Sequence, residues 1–371
     1  ARWLKQLKVG LEVCSGGELA VALAADFPAS DIEFHGNNKS ADEITTAIKC
    51  AVGTIVIDSF DELERVALIA KSLGKIQKVY LRLTPGIDAH THEFISTAHE
   101  DVKFGFSIAS GAASEALDKC MSYASLNLAG VHCHIGSQIF EVSGFEAAAE
   151  RLVDVLAKFR DKYAKELPEL NIGGGYGIAY TKAEQAISPQ DVMPAIAKVI
   201  KSECAKLNLS VPKISIEPGR AIVGPTTTTI YLVGTTKSVT LDDGSIRRYV
   251  SVDGGMSENI RPALYGATYS AFLANRTSTA KSISTRVVGK HCETGDILIS
   301  DIELPSDIKI GDLLAIPATG AYGRSMASNY NHIPRPSVIA VINGSAREIL
   351  RRETEADLLN LDVIQAPRQM S

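Results

Sequence analysis

The residues of this chain whose types and spacing can do chemistry fall into a few short stretches. Leu170 to Tyr180 reads LNIGGGYGIAY, an apolar run that leads into three consecutive glycines and then a fourth. Glycine there permits positive φ and lets backbone N–H groups approach a bound anion with no Cβ in the way. A phosphate cradle and a plain structural turn both fit this stretch. The dinucleotide fingerprint needs glycines at its first, third and sixth positions; Gly173 and Gly175 supply two, but Ile178 occupies the third. The next apolar run ends in Glu217-Pro218-Gly219-Arg220. A local Glu–Arg ion pair would explain that segment. So would a carboxylate buried opposite a heteroaromatic nitrogen, holding it protonated and strengthening the ring as an electron sink. Arg220 would then offer a planar fork to a phosphate or a carboxylate.

In His132-Cys133-His134-Ile135-Gly136-Ser137 the two histidines are two apart, so on a strand they point the same way, as a pair of metal ligands would. No carboxylate or third histidine follows at ligand spacing, and no metal is expected. Packing on a flat cofactor ring is the better use for His134, and His132 reads as a satisfied core histidine. Cys292-Glu293-Thr294-Gly295-Asp296 and Gly320-Ala321-Tyr322-Gly323 are polar breaks between apolar runs. Hairpin turns explain both, and a thiol beside a carboxylate can also act as a proton donor.

The elements that must position these groups alternate. Short β-rich runs at Leu11–Cys14, Ile32–Phe34, Thr54–Ile57, Val79–Leu83, Leu128–His132, Leu170–Ile172 and Lys213–Ile216 are separated by helix-period segments such as Gly17–Ala25, Ala41–Cys50, Asp61–Leu73, Phe145–Lys165 and Pro189–Lys206. Repeated βα units with nearly continuous apolar strands imply a parallel sheet covered by helices. The expected fold is a (β/α)8 TIM-type barrel, in which the site gathers at the C-terminal ends of the strands. The residues after each run fit that rule, among them Ser15 to Glu18, His35 to Lys39, Asp58-Ser59 and the long loop Pro85–Gly105. Such polar density exceeds what solubility needs. Only seven strands are legible where a closed barrel needs eight. After Gly224 the runs become short and β-branched with turn signals such as Asp243-Gly244 and Asn343-Gly344, which predicts a C-terminal antiparallel β domain. The expected division is 1–226 and 227–371.

Bulk properties narrow the partners. The chain has 371 residues, 45% of them hydrophobic, a formal charge of −5 and a pI near 6.0. Nothing in that balance forms a basic footprint for nucleic acid or an anionic membrane. No apolar run approaches the ~20 residues of a membrane span, and the first ten residues lack a signal-peptide core, so a cytoplasmic enzyme acting on a small molecule is expected. The six cysteines form no CxxC pair and read as reduced thiols.

Taken together, SGGELAVAL, HGNNKS, THEFIS with KFG, HCHIGSQI, NIGGGYGIAY, EPGRAI, DGGMSENIRPALYG, HCETGDIL and GAYGRSMASNYN resemble the diaminopimelate decarboxylases. These are pyridoxal-phosphate decarboxylases with an alanine-racemase-like barrel and a C-terminal β domain. HIGSQI followed by NIRPALYG looks like the diaminopimelate branch rather than the ornithine or arginine one. The resemblance implies pyridoxal 5'-phosphate as cofactor and meso-2,6-diaminopimelate as substrate, decarboxylated to L-lysine in the last step of lysine biosynthesis. It implies that Gly173, Gly174, Gly175 and Ser137 hold the phosphate, with Pro218, Gly219 and Arg220 beside the cofactor. His134 would stack on the pyridine ring and Glu217 would pair with its nitrogen. Arg220, Arg261, Tyr265 and Glu293 would bind the substrate, Tyr322 would touch both molecules, and Cys292 would return a proton to the carbanion. The Cys-Glu segment would come from a neighbouring subunit, implying a homodimer with shared sites. The family's Schiff-base lysine sits in a YAVKA-like first strand that has no counterpart here; Lys5 and Lys8 read as solvated charges on the following helix. The missing strand and the missing lysine together lead to the expectation that the native polypeptide begins earlier. A non-catalytic homologue and an ornithine or arginine decarboxylase are the alternatives.

Overall fold

The computed structural model of the chain describes residues 1–87, 103–187 and 189–363; THEFIS and most of the Pro85–Gly105 loop lie outside them. The chain divides into two compact units, Ala1–Gly177 with Ala186–Pro218, and Ile178–Gln185 with Gly219–Ser371.

The first unit carries strands β1 (Leu11–Val13), β2 (Ile32–Phe34), β3 (Thr54–Ile57), β4 (Gln77–Thr84), β5 (Phe106–Ser107), β6 (Leu126–Cys133), β7 (Glu169–Asn171) and β8 (Lys213–Ser215). All pair in parallel, in the order β1-β2-β3-β4-β6-β7-β8, with the two-residue β5 beside β4. The seven runs legible in the sequence are the seven strands of that path. Its ends are β1 and β8, so among the described residues the sheet is a curled half-barrel rather than a closed ring.

The helices are α1 (Arg2–Gln6), α2 (Gly16–Ala24), α3 (Ala41–Lys49), α4 (Phe60–Ser72), α5 (Ala112–Met121), α6 (Ser143–Tyr163) and α7 (Pro189–Lys206). Ser15, Ser40 and Ser59 open α2, α3 and α4, each hydroxyl accepting from the N–H three residues on. Such caps satisfy helix-end donors that have no partner within the helix. Part of the polar density after β1 to β3 therefore holds helix ends and not a ligand. Ile44, Ala47 and Ile48 of α3, and Leu63, Val66, Ala67 and Ala70 of α4, recur at three and four and are buried. All four residues of β3 are buried as well, as expected of a strand covered on both faces.

The second unit contains the short helix α8 (Gly219–Val223) and a sheet of β9 (Thr228–Thr240), β10 (Ile246–Val252), β11 (Phe272–Leu273), β12 (Ser282–Val288), β13 (Ile297–Pro305) and β14 (Leu313–Pro317). Their order is β11-β14-β9-β10-β12-β13. This sheet is mixed, which corrects the antiparallel expectation: β10 runs parallel to β12, with Arg248 opposite Thr285. The physical reason is the connection. Residues 253–281 make a long excursion through the short helix α9 (Arg261–Tyr265) and β11, and a crossover of that length can return a strand in its original direction where a hairpin cannot. Helix α10 (Gly323–Met326) follows, then the hairpin of β15 (Val338–Ile342) and β16 (Ser345–Leu350). Asn343 and Gly344 at its tip have φ of 50° and 77°, the turn that Asn-Gly signals. The core of this unit joins Tyr231, Val233, Val250, Val252 and Leu298 to Ile178 and Tyr180.

Candidate active site

The glycine run begins where β7 ends, beside the end of β8, and the two loops are joined by Glu217 N–H donating to the Gly173 carbonyl at 2.9 Å. Gly173 and Gly175 have φ of 75° and 107°, a region costly for any residue with a Cβ. A Cβ would also lie 2.0 Å from the Cys133 carbonyl oxygen at Gly173, 2.3 Å from that of Glu217 at Gly174, and 2.4 Å from that of Gly136 at Gly175. The turn is thus packed directly on the backbone of the β6 and β8 loops. Ile139 N–H donates to the Gly175 carbonyl at 2.9 Å, and Tyr176 lies flat on Phe145 of α6 at 4.6 Å. A bare-backbone cradle held this firmly suits a phosphate.

His134 extends from the end of β6 as an exposed ring whose Nδ1 accepts from Gly174 N–H at 3.3 Å. That contact gives the neutral ring its proton on Nε2. Its crowded surroundings, with Arg82 and His132 adding like charge, push it down to about 4. At neutral pH it is an uncharged aromatic plate next to the glycine turn.

Glu217 points into a cluster of polar groups. Its Oε1 lies 3.1 Å from His132 Nε2 and 3.2 Å from His35 Nε2, and accepts from Asn171 Nδ2 at 2.8 Å. The two imidazoles meet edge to face at 4.8 Å. Burial works against the Glu217 charge, but His132, His35 and His134 outweigh it and hold the carboxyl far below the usual carboxylate range. Burial keeps His132 neutral, whereas for His35 the carboxylates of Glu33, Glu217 and Glu12 overcome the burial penalty and raise it. His132 is therefore not the fully satisfied core histidine expected: Nε2 pairs with Glu217 and Nδ1 has no partner among the described residues. His35, His132 and Glu217 offer atoms within 4.8 Å of one another, a spacing open to a metal ion. It is His35, not His134, that shares this space with His132.

Lys39 is the buried lysine of this unit. Its Nζ donates to the carbonyls of Gly36 at 2.7 Å and Val56 at 2.8 Å, and it pairs with Glu62 at 2.9 Å. All three donors are engaged, so Lys39 is a strut tying the β2 and β3 loops to α4 rather than a nucleophile. Lys5 and Lys8 are exposed, as expected.

In the second unit Arg220 donates to the Tyr180 hydroxyl at 2.6 Å, with its guanidinium 4.8 Å from the Tyr322 ring. Tyr322 is exposed and has φ of 66°. Arg261 is buried at the start of α9, where it donates to the Tyr269 hydroxyl at 2.7 Å; Tyr265, at the end of that helix, is exposed. Cys292 and Glu293 are exposed in the loop between β12 and β13, so the hairpin reading of that break holds. The loop is pinned from beneath by buried Asp296, which accepts from His291 N–H at 2.8 Å and Met256 N–H at 2.7 Å. Ser137 lies exposed in the loop after β6, Pro218 follows β8, and Gly219 is the first residue of α8.

The sequence reading did not single out Asn171, Glu33, Glu12 or Arg82. Asn171 stood inside a quoted motif, but its place on the strand gives no hint of its partners. The others lie on β1, β2 and β4, where a charged residue within an apolar strand is the available signal.

A chain with a bare-backbone glycine turn, a neutral imidazole and a carboxylate kept ionised has the donor set of an enzyme that holds a charged heteroaromatic cofactor. Residues 1–224 match the model for the pyridoxal-dependent decarboxylase, pyridoxal binding domain, and residues 153–320 match that for the C-terminal sheet domain. Diaminopimelate decarboxylase from Corynebacterium efficiens is 50% identical over 363 residues, covering 98% of this chain and 79% of the relative. The Bacillus subtilis enzyme of the same name is 46% identical over 355 residues, covering 96% and 80%. Among solved structures, diaminopimelate decarboxylase from M. jannaschii in co-complex with L-lysine matches with a TM-score of 0.90 at 33% identity, covering 98% of this chain and 81% of that one. The Helicobacter pylori enzyme complexed with L-lysine matches at 0.84 and 33%, covering 97% and 86%. The chain belongs to the pyridoxal-dependent decarboxylases, within the diaminopimelate decarboxylase family.

Proposed function

We propose that the protein removes the carboxylate at the D-configured centre of meso-2,6-diaminopimelate, giving L-lysine and CO2, with pyridoxal 5'-phosphate as cofactor. The observation that carries this reading is the Glu217 carboxylate, kept ionised beside a glycine turn whose every Cβ position is filled by backbone. The cofactor, when bound, supplies the electron sink for the pair released as the carbon–carboxylate bond breaks. Gly173, Gly174, Gly175 and Ser137 hold its phosphate and His134 lies on its ring. Glu217 meets its nitrogen, and Pro218 and Gly219 shape the adjoining loop. Arg220, Arg261, Tyr265 and Glu293 bind the amino-acid ends of the substrate, Tyr322 touches both molecules, and Cys292 returns the proton. The functional division is near residue 226.

The reading extends to a homodimer in the cytoplasm, the Cys292–Glu293 loop being supplied by the partner subunit. It also extends to a closed (β/α)8 barrel. Among the described residues the parallel path runs from β1 to β8 with an edge at each end, and a closed ring is the arrangement that would leave neither edge unpaired.

The test is a side-by-side decarboxylase assay of the native polypeptide, with added cofactor, on meso-diaminopimelate, ornithine and arginine. CO2 released from meso-diaminopimelate alone is expected. Preference for ornithine or arginine would select that branch, and cofactor binding with no CO2 from any of the three would mark a non-catalytic homologue.

A further inference from the structure

Two side chains of the first unit hold the Glu217 carboxylate. Its Oε1 accepts from Asn171 Nδ2 at 2.8 Å. Its Oε2 meets His132 Nε2 at 3.4 Å, and the same ring nitrogen lies 3.1 Å from Oε1. We propose that Asn171 and His132 are positioning residues for Glu217, gripping the carboxylate by its two oxygens so that it stays fixed as the acceptor for the protonated ring nitrogen of the cofactor. This rests on the reading of Glu217 given under Proposed function and names the residues that act through it.

Asn171 is the centre of the arrangement, and its amide has one orientation. Its Oδ1 accepts from Gly173 N–H at 2.8 Å, while Nδ2 donates to Glu217 and to Glu33 Oε2 at 2.9 Å. Flipping the amide would set its oxygen against two carboxylates and its NH2 against an N–H. The same side chain therefore fixes the first residue of the glycine turn and the carboxylate, so the turn and Glu217 are held in one register. His132 is fully buried, which keeps water from substituting for its ring N–H. The titratable groups around Glu217 are Glu12 on β1, Glu33 on β2, Arg82 on β4, and His35, His132 and His134. Asn171 is the donor that does not titrate.

The test compares equilibrium binding of pyridoxal 5'-phosphate with that of its 1-deaza analogue, which has a CH in place of the ring nitrogen. Wild type should bind the parent at least about tenfold more tightly, as fits a hydrogen bond to a charged group. Asn171→Asp keeps the acceptor for Gly173 and removes the donor. It should lose that preference, with affinity for the deaza analogue within about twofold of wild type. His132→Leu should act likewise, and His132→Gln, which restores an N–H, should recover part of the preference. Equal losses for both ligands in Asn171→Asp would make the cluster merely structural and overturn the proposal, as would a wild-type preference that survives the substitution. Equal wild-type affinity for the two ligands would overturn it and leave the phosphate cradle standing. Binding of neither ligand by wild type would instead remove the reading of the site itself.

Discussion

The guanidinium carbon of Arg261 lies 4.5 Å from the ring centroid of Tyr180, whose hydroxyl accepts from Arg220 at 2.6 Å. One tyrosine thus steers two arginines, through its π face and through its oxygen. Tyr180→Phe keeps the face and removes the oxygen, so it takes one hydrogen bond from the Arg220 fork while Arg261 stays. We expect KM for the substrate to rise about tenfold with kcat within about twofold, since a hydrogen bond to a charged group is worth about 1.5–3 kcal/mol. Steady-state kinetics read this directly, and an unchanged KM would remove the steering role.

The glycines separate into positions that need glycine and positions that tolerate a side chain. Gly175 has φ of 107° and its added Cβ would meet the Gly136 carbonyl oxygen at 2.4 Å, whereas a Cβ at Gly219 meets nothing within 4 Å. Gly175→Ala should fail to retain cofactor through dialysis and melt at lower temperature, strain of this kind costing about 1–3 kcal/mol. Gly219→Ala should keep the wild-type melting temperature. Equal melting temperatures for the two variants would mean that the turn relaxes around a methyl group.

Much of this was legible before any coordinates. Parallel strands buried on both faces leave runs such as Thr54–Ile57, and the helix-period segments between them are the helices α2, α3, α4, α6 and α7, whereas the capping by Ser15, Ser40 and Ser59 emerges only in the fold. The mixed C-terminal sheet was not legible, because β-branched runs and turn residues signal strands and hairpins but are silent about which strand a crossover returns to. The site divides in the same way. Glycines, Glu217 and His134 carry their chemistry in their residue types, whereas Asn171 acquires its role only when β7 sets it between Glu33 and Glu217. Lys39 shows the converse. A lysine in a polar loop invites a functional role, yet burial against Glu62 and two carbonyls makes it structural.

That ion pair yields a stability prediction. Both side chains are at most 2% exposed, and burial lowers the lysine and raises the glutamate, each opposed by its partner. Removing one partner strands a buried charge, so Lys39→Met should cost about 3–5 kcal/mol in urea unfolding. Lys39→Met with Glu62→Gln should recover a good part of it. If the double variant is no more stable than the single one, the loss comes from packing of the lysine stem.

Glu12 gives a pH dependence. Burial first, then Glu217 and Glu33, raise it from 4.5 to about 7, with His35 and Arg82 opposing. The native carboxyl therefore keeps its proton where the unfolded chain has released it. Its contribution is full below about pH 4.5, declines as pH rises and is gone above about pH 7. The side chain is 43% exposed, so after solvent screening the decline is about 1 kcal/mol. Urea midpoints of Glu12→Gln against wild type, at pH 5 and pH 7.5, should show the variant with the flatter profile. Parallel profiles would assign the slope to another group.

The Cys292 thiol tests the assignment of the proton donor apart from cofactor binding. It is exposed in a loop whose position is set elsewhere, by Asp296 accepting from His291 and Met256 N–H groups, so a truncation at residue 292 leaves the loop's supports intact. Cys292→Ala should therefore lower turnover by about 10²-fold or more, the usual contribution of a placed acid, with cofactor affinity within about twofold of wild type. Asp296→Asn should disturb the loop itself, because an amide cannot accept from both N–H groups without turning an NH2 toward one of them. Alkylation of Cys292 by iodoacetamide then distinguishes the two effects: its rate should change in Asp296→Asn, where the thiol is present but misplaced. Wild-type turnover in Cys292→Ala would take the proton transfer away from this residue, whatever the loop does.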